Sequence, residues 1–304
     1  MSSVLSSGYD LRVQRDIVYG EGLVNWSSGA FPRPLKMDIY LPAECDNLQR
    51  LRPALVLAFG GAFHRGSKEN DSFEVDGRRN TAIAEYCEAF ARRGYVCASV
   101  DYWLIPEDPD PDPSSAVENP SDIPRSRVDQ VREQLGLPGA TDAMLWRGIE
   151  AAANDLDRAV RYFSANAELY RIDRDRIAVG GWSAGARTAL NVTFAKRAPV
   201  HAVVSLSGYM APADLHRLVR PSQSQPGVFL VWGEDDLEYV RQQNPVMLEH
   251  ITRMGSECAS LMLPGATHFY DRATRTGRSG GTLDDALTTY LEARLSHGGE
   301  ASTR

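Results

Sequence analysis

Two hydrophobic periods alternate along this chain. Leu35-Lys36-Met37-Asp38-Ile39-Tyr40-Leu41 switches between apolar and polar residues, which predicts a strand with one exposed face, and Asp16 to Tyr19 is placed to pair with it. Ala54 to Phe59 is unbroken apolar sequence closed by Gly60-Gly61, as expected of a central parallel strand. Thr81 to Arg93 predicts a helix with Ile83, Tyr86, Cys87 and Phe90 on one face and Gly94 as its stop. Tyr95 to Tyr102 reads as the next strand. The alternation then breaks. Pro106 to Pro124 contains Glu107-Asp108-Pro109-Asp110-Pro111-Asp112-Pro113, which suits neither a helix nor an inner strand.

Helical spacing returns in Ser126 to Leu135, where Val128, Val131 and Leu135 share a side. It is strongest from Ala143 to Asn166, with Thr141 or Asp142 as the cap. Then come the apolar run Arg176 to Gly180, the segment Gly181-Trp182-Ser183-Ala184-Gly185, and a helix-forming stretch from Arg187 to Lys196. Strands over Ala202 to Leu206, Val228 to Trp232 and Ala259 to Leu263 are interleaved with helices over Val240 to Met254 and Leu283 to Leu295.

Strands alternating with helices define an α/β class, a mostly parallel sheet covered on both faces. In such sheets ligands bind beyond the carboxyl ends of the strands. A chain of 304 residues without internal repeats fits one domain over 1–304, with 104–142 as a cap insertion. The formal charge of −7 favours neither nucleic acid nor an anionic membrane as partner. Cys45, Cys87, Cys97 and Cys258 have no metal-ligand or redox spacing and read as reduced, mostly buried residues. The first eight residues do not resemble a signal peptide and no apolar run reaches membrane-spanning length, so a cytoplasmic location is expected.

The segments after the strands carry the chemistry. Strand, tight turn with a central serine, then helix is the pattern that exposes a nucleophilic hydroxyl. Side chains at Gly181 and Gly185 would collide with neighbouring backbone in so sharp a turn, and Ser183 is expected at a strained angle. Serine needs a base to take its proton and an acid to orient that base. Gly233-Glu234-Asp235-Asp236 follows one strand, and Pro264-Gly265-Ala266-Thr267-His268-Phe269 follows the last. Of the six histidines, His268 alone lies in the glycine-led loop that follows the last strand, which makes it the expected base, with His64 the one rival. Asp236 is favoured over Asp235 as the acid, with Glu234 a third candidate. Backbone donors for an oxyanion are expected from Ala184 and from Phe59-Gly60-Gly61-Ala62-Phe63.

With these motifs together, the chain resembles the α/β-hydrolases, in the esterase/lipase (carboxylesterase) branch with an HGGG-type oxyanion loop. The resemblance runs from Leu35 to Leu295. It includes Phe59 to Phe63 with Gly66-Ser67-Lys68 beyond, Ser99-Val100-Asp101-Tyr102 with Pro106-Glu107, and Tyr170 to Ile177 leading to the turn. It implies Ser183 as nucleophile, Asp236 as acid, His268 as base, and the amides of Gly61, Ala62 and Ala184 as the oxyanion hole. Phe59 stands where the family's leading histidine would be, Ala62 replaces its last glycine, and Trp182 precedes the serine.

The resulting expectation is a serine hydrolase acting on small or medium-sized carboxylic esters without metal or cofactor. A peptidase or amidase with the same three residues, or a non-catalytic binding protein on this fold, are the alternatives. Phe63, Trp182, Tyr209 and Trp146 are the expected substrate contacts, with Trp103, Met144, Leu145 and Met210 as further candidates. The acidic, proline-rich part of the insertion reads as a solvated loop that disfavours anionic substrates.

Overall fold

The computed structural model describes residues 8–43, 50–110, 125–222, 225–277 and 280–296. Among the described residues, eight strands form one sheet in the order β1-β2-β6-β3-β7-β8-β9-β10. They are β1 (Leu11–Val24), β2 (Phe31–Pro42), β3 (Arg52–Ala58), β6 (Val96–Val100), β7 (Ile172–Trp182), β8 (Ala202–Leu206), β9 (Gly227–Asp235) and β10 (Cys258–Thr267). Strand β2 runs antiparallel to both β1 and β6, and every pairing from β6 to β10 is parallel. The hairpin strands β4 (Glu74–Val75) and β5 (Arg78–Arg79) stand apart.

The helices are α1 (Trp26–Gly29), α2 (Ile83–Arg92), α3 (Ser126–Gln134), α4 (Asp142–Ala165), α5 (Ala167–Tyr170), α6 (Ala184–Phe194), α7 (Pro212–Leu218), α8 (Glu238–Arg253) and α9 (Leu283–Arg294). Strand alternation decides which residues meet which helix. Leu55 and Leu57 of β3 and Val204 and Leu206 of β8 meet Tyr86 and Phe90 of α2 and Leu287 and Leu291 of α9. Helices α4 and α6 pack on each other against the sheet. The 24 residues of α4 keep Leu145, Ile149, Leu156, Val160 and Phe163 buried at helical spacing, and Thr141 caps it by accepting from Met144 N at 3.2 Å.

The expected elements are present, with shifted ends. Strand β1 extends well beyond Asp16 to Tyr19, and β10 runs on to Thr267. Residues 125–142 carry α3 and the start of α4, while 111–124, with most of the proline-rich stretch, lie outside the described residues, as does Cys45. Cys87 and Cys97 are buried free thiols, and burial pushes both far above the usual thiol range. No helix among the described residues is long and apolar enough to cross a membrane.

Candidate active site

The site is built on the parallel edge where β3, β7, β8, β9 and β10 end. Ser183 sits between the last residue of β7 and the first of α6, with φ 54° and ψ −114°. That conformation costs a residue with a side chain about 1–3 kcal/mol, so surrounding contacts must hold it. The Ser183 amide donates to Leu206 O at 2.7 Å. A Cβ at Gly181 or Gly185 would overlap the Ala58 carbonyl oxygen, so glycine at both positions lets β7 and α6 close against β3.

Pairing between β9 and β10 brings acid and base together. A bulge interrupts the ladder after Leu263, and pairing resumes with Thr267 opposite Asp235. The next residues on the two strands are therefore neighbours. His268 Nδ1 donates to Asp236 Oδ1 at 2.6 Å, and His268 Nε2 accepts from Ser183 Oγ at 2.8 Å. Asp236 and His268 are each 4% exposed. Glu234 and Asp235 are exposed, and Glu234 accepts from Gly265 N at 2.8 Å, tying the two loops.

The Asp236 carboxylate also accepts from the amides of Gly233 and Leu237 at 3.1 and 2.8 Å and from Ser207 Oγ. Burial alone would raise its pKa, but the nearby His268 and these donors outweigh burial and hold it below the usual carboxylate value. Ser207 in turn meets Tyr270 OH at 2.9 Å. Sequence reasoning missed Ser207, although it directly follows β8, a strand-end position.

The loop after β3 runs through left-handed backbone, with φ of 108°, 56° and 60° at Gly61, Ala62 and Phe63. Such turns direct successive N–H groups to one side. Ala62, Phe63 and Ala184 line the same pocket as Ser183, with Gly61 one residue behind the wall. Three polar side chains hold this loop. Asp71, fully buried, accepts from Gly60 N at 2.9 Å and Ile83 N at 2.8 Å, and burial pushes its pKa up to about 6. Tyr102 OH donates to Phe59 O at 2.8 Å while its ring stacks on Phe59 at 4.3 Å, which accounts for an aromatic residue in the leading position.

His64 is the third. Arg132 of α3 donates to its Nε2 at 2.9 Å, and a guanidinium has no acceptor, so Nδ1 carries the proton and donates to Ala62 O at 2.6 Å. Burial lowers the His64 pKa, in keeping with that neutral form. Both ring nitrogens are engaged, which leaves His64 no free base toward Ser183.

The expected substrate contacts divide. Phe63 and Tyr209 line the pocket, together with Leu145 and Ile149 of α4 and Arg127 and Val128 of α3. Trp182 and Trp146 do not. The Trp182 ring packs against His268, Phe269 and Phe73 and donates from Nε1 to His268 O at 3.2 Å, so it supports the base from outside the pocket. Trp146 falls about 100° around α4 from the Leu145 and Ile149 face that points inward. Met210 is buried elsewhere, its amide on Met247 Sδ, and Trp103 stacks under Arg33. Arg187, Arg127 and Tyr239 were not anticipated as pocket residues. The i+4 spacing of Arg187 from Ser183 on one helix was the available signal.

Strand order and the helices on both faces give the chain the α/β-hydrolase fold, with the turn at Ser183 and the residues beyond the strands at its parallel edge. The family model described as BD-FAE matches residues 147–210, from α4 through the serine turn into the segment after β8. Among solved structures, esterase 2 of Thermogutta terrifontis phosphoramylated by tabun superposes with a TM-score of 0.61 at 17% identity, covering 94% of this chain and 96% of that one. The paraoxon-phosphorylated form gives 0.58 at 18% identity, covering 94% and 96%. The propionate-bound form gives 0.57 at 16% identity, covering 96% and 97%. At such identities the likeness speaks to the fold. No curated protein matches the chain in sequence.

Proposed function

We propose that the protein is a serine carboxylesterase that cleaves small or medium-sized esters through an acyl-enzyme. The observation that carries this reading is the continuous hydrogen-bonded chain from Ser183 Oγ through His268 to buried Asp236 at the strand ends. Ser183 attacks the ester carbonyl while His268 Nε2 takes its proton, and Asp236 keeps the ring in the tautomer whose Nε2 is free to do so. The oxyanion is held by the amides of Gly61, Ala62 and Ala184, each worth about 3 kcal/mol by analogy with other serine hydrolases. His268 then protonates the leaving alcohol, and water attacks the acyl-enzyme by the same route in reverse.

The described part of the insertion, residues 125–142, acts as a cap over this pocket, and α3, which lends it Arg127 and Val128, supports that role. The free buried thiols suit a reducing, cytoplasmic compartment. The Thermogutta neighbours are named esterases, one of them propionate-bound, which supports ester chemistry at this site. The test is turnover of 4-nitrophenyl butyrate together with fluorophosphonate labelling. Wild type turns over and is labelled at Ser183, and Ser183→Ala loses both while its far-UV spectrum is kept. Turnover that survives in Ser183→Ala overturns the reading.

A further inference from the structure

The pocket beside Ser183 holds a cation with no counter-charge. Arg187, one helical turn past Ser183 on α6, is 3% exposed and lines the pocket. It donates from Nη1 to Tyr209 OH and lies over the Tyr209 ring at 4.7 Å. Its Nε is buried with no acceptor. Among the described residues it forms no ion pair. Nearby carboxylates are engaged elsewhere, Asp236 with His268 and Asp214 with Arg217 at 3.0 Å.

A second guanidinium faces the same space. Arg127 of α3 also lines the pocket, stacks over Phe269 at 5.3 Å, and donates to the neutral Gln130 Oε1 at 2.6 Å. Burial, then the like charge of Arg65, hold its pKa below the usual value. Tyr239 lines the same pocket and feels both arginines. A buried guanidinium with unused donors is costly unless something completes it. Its planar fork matches a carboxylate in two parallel hydrogen bonds.

We propose that the physiological ester carries a carboxylate, bound by Arg187 with Arg127 at its flank. This deepens the esterase reading and rests on it. It also reverses the expectation drawn from the acidic insertion, because the described wall of the pocket presents cations. The carboxylate sits on either the acyl or the alcohol side of the scissile bond, and two substrate pairs separate these cases. One compares mono-4-nitrophenyl glutarate with 4-nitrophenyl butyrate. The other compares 4-carboxyphenyl butyrate with phenyl butyrate.

Wild type prefers the charged member of one pair in kcat/KM, and the preference shrinks with added salt. In Arg187→Met that charged-to-neutral ratio falls about tenfold to hundredfold, the scale of a charge-assisted hydrogen-bonded pair, and Arg187→Lys retains part of it. Where Arg187→Met does not fold, Arg127→Gln is read by the same ratio and lowers it. A wild-type ratio of one or below in both pairs, or a ratio unchanged in the folded Arg187→Met variant, overturns the proposal. Failure of every ester together with an unlabelled Ser183 overturns the esterase reading instead.

Discussion

Lys68 and Arg187 are both almost fully buried cations, and their surroundings are opposite. Lys68, in the segment after β3, is 1% exposed and lies among three carboxylates, Asp38 at 2.9 Å, Asp16 at 3.3 Å and Glu69. Asp38, itself fully buried, accepts in addition from Arg15 at 2.7 Å and from the Asp16 amide at 2.9 Å. Burial disfavours the charged ammonium, but the bridges to Glu69 and Asp38 outweigh it and raise its pKa above the ordinary value. Arg187 has a tyrosine hydroxyl, a ring face and open donors. One cation is neutralised within the fold, and the other is left for something outside it. Asp236 belongs with Lys68, since each of its oxygens already accepts hydrogen bonds.

Breaking a closed group has the largest expected effect where chemistry depends on it. Asp236→Asn removes the acceptor that sets the His268 tautomer, and kcat on 4-nitrophenyl butyrate is expected to fall about 10⁴-fold. Steady-state kinetics on the folded variant checks this, and a loss below tenfold would remove Asp236 from the acid's role.

The two cations can then be tested with the same substitution. Lys68→Met strands the buried Asp38 carboxylate and is expected to cost about 3–5 kcal/mol. Arg187→Met strands no carboxylate, and its stability is expected to stay within about 1 kcal/mol of wild type. Urea unfolding of both variants measures the difference. Equal losses would mean that Arg187 is as much a structural cation as Lys68.

The smallest effect concerns Asp71, which pins the loop after β3 to the start of α2. Its folded pKa of about 6 lies above the ordinary value near 3.8. The folded protein therefore holds the extra proton more tightly, so this group's contribution is greatest below about pH 4 and is lost as pH rises through 6. The span amounts to about 3 kcal/mol. Asp71→Asn should flatten wild-type stability over pH 4 to 6, read by urea unfolding at half-unit steps. An unchanged slope would contradict the raised value.

Long periodic stretches were legible before any coordinates. Helix α4 and strands β3 and β8 appear almost where their patterns put them, because tertiary packing uses the faces their periods create. Short elements were not. Helix α7 and the β4–β5 hairpin hold too few residues to display a period, although Asp76-Gly77, with φ of 51° and 70°, is a turn signal that was available. His250 shows a related failure. Nothing in its helical spacing marks it as buried, yet it packs against Val219 O and His216, neither of which is near it in sequence.

Order along the chain was enough to nominate Ser183, Asp236 and His268, since a parallel sheet delivers the ends of successive strands to one edge whatever the loops between them. Period and spacing place a residue on a face of its own element. They do not say which neighbour fills that face. Trp182 and Trp146 therefore looked like pocket residues until packing turned one behind His268 and the other off the inward side of α4. The counter-charge of Arg187 is the same kind of question. Ion pairing depends on atoms a few ångströms apart in space and far apart in sequence, so no local pattern distinguishes a neutralised cation from an open one.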